Sequence, residues 1–289
     1  MRYFPLVLVT LGMVGTLRVE AAAGADAQPA PWPPPPATLQ LRPVDALKQN
    51  TTEQRLGNGT VVDPKDWPAS FYADFTGNGQ PASCTATLLG PRSLLTAAHC
   101  IANGGQVGFT RENQSYAGQC EQAKPGYQSP ENPDWAMCLI NPEVPVRYET
   151  VSLDLNVLRR DNQLLLAGYG CQKIGSNKTD GKFRTGPAFI EKELGQVAGD
   201  PDWVATHAAI AGGDAFICPG DSGGAVFFEE PNFPRKVVAV NSHYDTAGRG
   251  ISFLAVLGTP AGKVFLEKWA EQNHQRLCGM HDDAPNCLR

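Results

Sequence analysis

The chain has no surplus of positive charge: 24 Lys and Arg stand against 29 Asp and Glu, a formal net charge of -5. Nucleic-acid binding needs a basic face to neutralise phosphates, and no such face is visible. Beyond the N-terminus there is no long apolar run, so no membrane-crossing helix is expected there. Helical periodicity is missing until near the end, and nothing repeats at a fixed period, which sets aside helix bundles and solenoids. The five histidines are scattered and the eight cysteines lack paired short spacings. A zinc site is therefore not expected, and neither is any other metal or cofactor.

What is present divides along the 289 residues. Arg2 and the apolar stretch Phe4 to Leu17, followed by small residues, read as an export signal over 1–27, too short to span a bilayer. Residues 28–55 contain "PAPWPPPPA", which favours extended polyproline and cannot bury a core, so this stretch is expected to be a linker or propeptide. From Leu56 onward short apolar runs such as "SCTATLLG", "WAMCLI", "NQLLLAGYG", "GGAVFF" and "KVVAVNS" alternate with Gly, Pro, Asn and Asp clusters. That texture predicts an all-β sandwich or barrel.

One helix stands out near the end. Thr259 is placed to cap it, Pro260 takes its first position, and Ala261, Val264, Phe265 and Trp269 form the stripe expected against a barrel. Residues 276–289, with Cys278 and Cys287, read as a small stapled tail. An even number of cysteines in an exported chain points to disulfides. Sequence order suggests Cys84 with Cys100, Cys120 with Cys138, Cys171 with Cys218, and Cys278 with Cys287, among more than a hundred formal connectivities.

Three segments offer chemistry when taken together. Nucleophilic catalysis by a hydroxyl needs a base for its proton and a group to orient that base. "LLTAAHC" supplies His99, "NPDWAMCLI" supplies Asp134, and "CPGDSGGAV" supplies Ser222. Each alone has a bland reading: a structural histidine, a Pro-Asp turn, a glycine turn. Asp154 is a second candidate for the orienting carboxylate.

"TAAHC", then Asp134 in an Asp-x-Ala context, then "GDSGG" resemble the chymotrypsin- and trypsin-like serine endopeptidases in residue type, order and approximate spacing. The order His, Asp, Ser differs from the subtilisin and α/β-hydrolase arrangements. The resemblance covers roughly residues 56 to 273. It implies two packed six-stranded antiparallel β-barrels, split near residue 150 within a domain of 56–275, with the site in the cleft between them. His99 and Asp134 would come from the first barrel and Ser222 from the second. The N–H groups of Gly220 and Ser222 would form the oxyanion hole.

The resemblance also implies an activation device. In family members activated by cleavage, a new N-terminal ammonium pairs with the carboxylate at Asp221. Here Arg55 precedes the junction and Pro68 follows Gly59 at the family's spacing, while Leu56-Gly57-Asn58-Gly59 departs from the usual Ile-Val-Gly-Gly. Cleavage between Arg55 and Leu56 is the expectation; an ordinary linker arginine is the alternative.

In the specificity pocket, Phe216 takes the floor position, with Asp214 two residues earlier and available through a small loop insertion. Ser242 takes the position of the backbone-pairing strand, and His243 and Tyr244 replace the family's usual Trp and Gly, with Tyr244 at the pocket mouth. His243 is either a reader of acidic side chains, as a histidine is in glutamyl endopeptidases, or a structural histidine. The partners implied are protein or peptide substrates and a protein inhibitor, with no nucleic acid and no membrane after signal cleavage. The location implied is outside the cell or in the periplasm. The competing class is a catalytically silent homologue that uses the same barrels for binding, since fold alone does not fix function.

Overall fold

The computed structural model describes residues 56–77, 80–101, 104–123, 133–170, 179–197, 200–207, 213–245 and 249–288. The expected signal, the proline-rich stretch and Arg55 lie outside them. Among the described residues fourteen strands and one α-helix follow in chain order: β1 (Thr60–Val61), β2 (Ser70–Gly77), β3 (Gln80–Gly90), β4 (Ser93–Thr96), β5 (Gln106–Arg111), β6 (Gln114–Gln122), β7 (Ala136–Asn141), β8 (Thr150–Val151), β9 (Gln163–Gly168), β10 (Arg184–Lys192), β11 (Trp203–Thr206), β12 (Ala225–Phe228), β13 (Lys236–Tyr244), β14 (Ser252–Val256) and α1 (Pro260–Gln272).

Strands β2-β3-β4-β7-β6-β5 close into one antiparallel barrel, with β2 pairing β5 at the seam. In the second, β10-β11-β14-β13-β12-β9 runs around and β9 pairs β10 to close it. The two barrels share one strand order, first-second-third-sixth-fifth-fourth. Two short additions hang on the second barrel: β1 pairs β10, and β8 pairs β13 in parallel. Closure removes the exposed edges that an open sheet of these strands would present.

Burial explains the closure. The second barrel is filled by Leu164, Leu166, Ile190, Val204, Val226, Val238 and Leu254, joined by Leu56 from ahead of the first strand. Tyr72, Trp67, Tyr169, Phe183 and Phe227 are linked by ring contacts with centroids 4.9–5.9 Å apart. These contacts tie the first barrel's strands to the second's, and each such pair adds about 0.5–1.5 kcal/mol beyond its area burial.

The helix begins as its caps dictate: Thr259 Oγ1 accepts from the Gly262 N–H, and Pro260 opens the first turn. Its buried face keeps Trp269 and Phe265 of the expected stripe and departs from it at Ala261 and Val264. Gly262, Leu266, Trp269 and Ala270 are buried, while Ala261 is exposed and Val264 is 46% exposed. The reason is close approach. A Cβ at Gly262 would fall 2.4 Å from the Leu257 carbonyl, so the backbone itself, not an apolar side chain, makes that contact. The tail is stapled by Cys278–Cys287 and bonded to the first barrel through Cys278 N–H to Leu89 O, with Val151 N–H donating to Cys278 O. Among the described residues no helix is long and apolar enough to cross a membrane.

Candidate active site

His99 lies on the one-turn 3-10 helix Ala98–Cys100 that follows β4, and Asp134 lies just before β7. Because β4 pairs β7 with Thr96 opposite Ala136, both residues emerge at the same end of the first barrel. Cys100 is disulfide-bonded to Cys84 on β3, which pins the histidine's turn. Closing that short loop is worth about 3 kcal/mol in the chain-entropy model.

Asp134 is fully buried and accepts three hydrogen bonds. The His99 N–H donates to Oδ1 at 2.9 Å, His99 Nδ1–H to Oδ2 at 2.7 Å, and the Ser242 hydroxyl also to Oδ2. An ionised carboxylate only accepts, so the proton sits on Nδ1 and the Nε2 lone pair faces away from Asp134. Burial works against a charge on His99, but the field and the hydrogen bond of Asp134 outweigh it, and the imidazole pKa is raised. Asp154 takes no part. It is exposed and caps the turn Leu155–Val157 by accepting from the Asn156 N–H.

Ser222 sits in the turn before β12 and is held across the barrel boundary. Its carbonyl accepts from Thr85 N–H at 2.8 Å, and Thr85 Oγ1 donates to the Gly220 carbonyl at 2.8 Å. Gly220 and Gly223 adopt φ of +100° and +81°, a region that favours glycine. A Cβ at Gly223 would lie 2.1 Å from Thr96 Oγ1 and 2.3 Å from Thr85 O, so only glycine lets the two barrels meet here. Ser222 Oγ donates to the Ser242 carbonyl at 3.2 Å. Among the described residues, neither the Gly220 nor the Ser222 N–H has a hydrogen-bond partner.

Asp221 turns away from this surface and is fully buried against Gly168 and Gly170. Gly170 N–H donates to Oδ1 at 2.7 Å and Cys218 N–H to Oδ2 at 3.0 Å. Desolvation dominates, and despite those two donors and the field of Arg184 its pKa is pushed up to about 7. Leu56 is fully buried with φ of +48°.

The residues counted toward the pocket take several positions. Phe216 pairs with Gly57, its N–H donating to Gly57 O at 3.0 Å, and its ring lies against that glycine. The Asp214 carbonyl accepts from Asn58 Nδ2 at 2.8 Å. Tyr244 is half-buried, packed against the second barrel's core opposite Ser252. His243 is stacked on Phe253 and touches Trp203 edge-on. Cys120–Cys138 joins β6 to β7, and Cys218 is disulfide-bonded, its expected partner Cys171 lying outside the described residues. Cys84, His99 and Cys100 cluster within 4.8 Å, but both sulfurs are in a disulfide and offer no thiolate to a metal.

Two contributors, Thr85 and Asn241, escaped the sequence reading, and Ser242 was read only as a backbone-pairing position. Thr85 also accepts from the Tyr169 N–H, Asn241 Nδ2 holds the carbonyls of Ala167 and Asp221, and Ser242 contributes its hydroxyl to Asp134. Only Thr85 had a signal, its place beside Cys84.

Two closed barrels of one topology, with a buried Asp134 paired to an accessible His99 on the first and a glycine-flanked serine on the second, define the trypsin-like class. The family model for Trypsin matches residues 56–256, and the chain belongs to this family of peptidases. Bovine chymotrypsin-C is 26% identical over 223 residues, 69% of this chain and 79% of that protein. A solved structure of HBP matches with a TM-score of 0.55 at 19% identity, over 74% of this chain and 94% of the other, a likeness of fold.

Proposed function

We propose that the protein is an exported serine endopeptidase that cleaves peptide bonds through Ser222, His99 and Asp134, with an acyl-enzyme intermediate. The carrying observation is the His99–Asp134 pair, whose bonds to both carboxylate oxygens fix ring, tautomer and charge together. In the reaction Ser222 Oγ rotates from the Ser242 carbonyl toward His99, attacks the scissile carbonyl and passes its proton to Nε2. Such bonds are often loose before substrate arrives. The N–H groups of Gly220 and Ser222 receive the oxyanion, each worth about 3–4 kcal/mol in the transition state. His99 then protonates the leaving amine, and water, deprotonated by the same ring, hydrolyses the ester.

Export is supported by the N-terminal segment and the disulfides. Cleavage after Arg55 would free the Leu56 amine, whose counter-charge would be Asp221; N-terminal sequencing of active material tests that step. A fluorophosphonate probe tests the activity. Wild-type processed protein is expected to label and Ser222→Ala not to; an unlabelled, correctly processed wild type would favour a silent, binding homologue.

A further inference from the structure

His243 lies one residue beyond Ser242 on β13, where alternation would send neighbouring side chains to opposite faces. Here the pairing with β14 slips between Asn241 and His243, so Asn241 faces Leu254 and His243 faces Phe253. The slip is a β-bulge, a device that re-aims side chains. Its result is that His243 Nδ1 lies 3.2 Å from Ser242 Oγ. The ring is fixed from two further sides, stacked on Phe253 with centroids 4.5 Å apart and edge-on to Trp203 at 5.2 Å.

The directions of the protons follow. Ser242 has one hydroxyl proton and gives it to Asp134, the charged acceptor. Its oxygen is then left to accept, and His243 must present Nδ1–H. All donors in the chain point the same way, from His243 to Ser242 to Asp134, opposite the donation from His99.

Resting on the peptidase reading, we propose that His243 is a positioning residue of the catalytic pair, holding the Ser242 hydroxyl on Asp134 and drawing charge from that carboxylate. The charged groups acting on the ring are Asp134 and His99, while β11 and β14 face it with Trp203 and Phe253, which do not titrate. Burial, the largest influence, lowers the ring's pKa and favours its neutral form, in which the Nδ1–H tautomer is the donor the relay requires.

Two replacements separate this role from a structural or substrate-reading one. His243→Phe keeps a flat ring over Phe253 but has no donor; His243→Asn places an amide N–H near the position of Nδ1–H. For Phe, kcat is expected to fall roughly 3- to 10-fold, the scale of one hydrogen bond, with KM within about twofold. The acid limb of the pH profile moves up, because Asp134 regains its full charge and makes His99 more basic. Asn restores both. The His99 Nδ1 proton resonance moves in the Phe variant and not in the Asn variant, a readout that needs no turnover.

If Phe and Asn behave alike, or if both lose only binding of acidic substrates through KM with the acid limb and the resonance unmoved, the proposal is wrong. A wild type that neither labels nor hydrolyses would instead overturn the peptidase reading, and the resonance would still decide the relay.

Discussion

A Cβ on Gly57 would fall 1.9, 2.1 and 2.2 Å from three ring carbons of Phe216, so that ring fills the space a side chain at 57 would need. The family resemblance puts Val where Gly57 stands, and the Phe216 ring occupies the room that such a side chain would need. Gly57 does not have a positive φ, which leaves the clash as the cost of replacing it. Gly57→Val is expected to destabilise by about 1–3 kcal/mol, the scale of overpacking. Gly57→Val with Phe216→Ala should recover much of the lost melting temperature. Equal melting of wild type and Gly57→Val would refute the pairing.

Arg235 is clamped between the barrels. Its guanidinium lies 3.5 Å over the Trp67 ring, donates to the Asp66 carbonyl, and bonds both carboxylate oxygens of the fully buried Glu149. Arg235→Met would leave that carboxylate unpaired, a loss of about 3–5 kcal/mol. Arg235→Met with Glu149→Gln should lose much less. Denaturant melts of the two variants check this, and similar losses in both would show that packing on Trp67, not charge, is what Arg235 provides.

How much of this was legible beforehand depended on how the signal is carried. The residues proposed as the triad were singled out by type and order, a His between Ala and Cys, a Ser among glycines and Asp134 between them in the chain, and the fold brings His99 and Asp134 together. The strands showed as short apolar runs, but the common order of the two barrels did not, because each builds it from different residues. The helix was found from its cap, and its face only in part: Trp269 and Phe265 pack on the core as expected, while Gly262 was missed because it contributes closeness rather than hydrophobicity. Thr85 and Asn241 read as ordinary polar strand positions, and Ser242 as a backbone-pairing position whose hydroxyl had no assigned role. Their roles arise only where the two barrels meet.

Asp221 makes stability depend on pH in a definite direction. Its pKa is raised from 3.8 to about 7 in the folded chain, so between those values the folded state holds more proton than the unfolded one. Stability contributed by this group is therefore full below about pH 4 and lost as pH rises toward 7. With Arg55–Leu56 intact, Asp221→Asn should melt higher than wild type at pH 8, and the difference should vanish near pH 4. Once the Leu56 amine is freed, its charge would hold Asp221 ionised and the advantage of Asn should reverse. A difference that does not change with pH would mean that Asp221 stays charged throughout.

The same sign reasoning applies to catalysis by His99. Asp134 raises the imidazole pKa against the effect of burial, so the acid limb of kcat/KM should lie above the ordinary histidine value of about 6.5. Asp134→Asn removes the field and offers Nδ1 no charged acceptor. The limb should move down, and kcat should fall by about four orders of magnitude because the ring no longer holds the reactive tautomer. Asp154→Asn removes only a cap on an exposed turn and should leave both quantities unchanged. Rate profiles of the three proteins between pH 5 and 9, a span of roughly two units on either side of neutrality, separate the two carboxylates. If Asp134→Asn kept most of its activity, Asp134 would not be the group that orients His99.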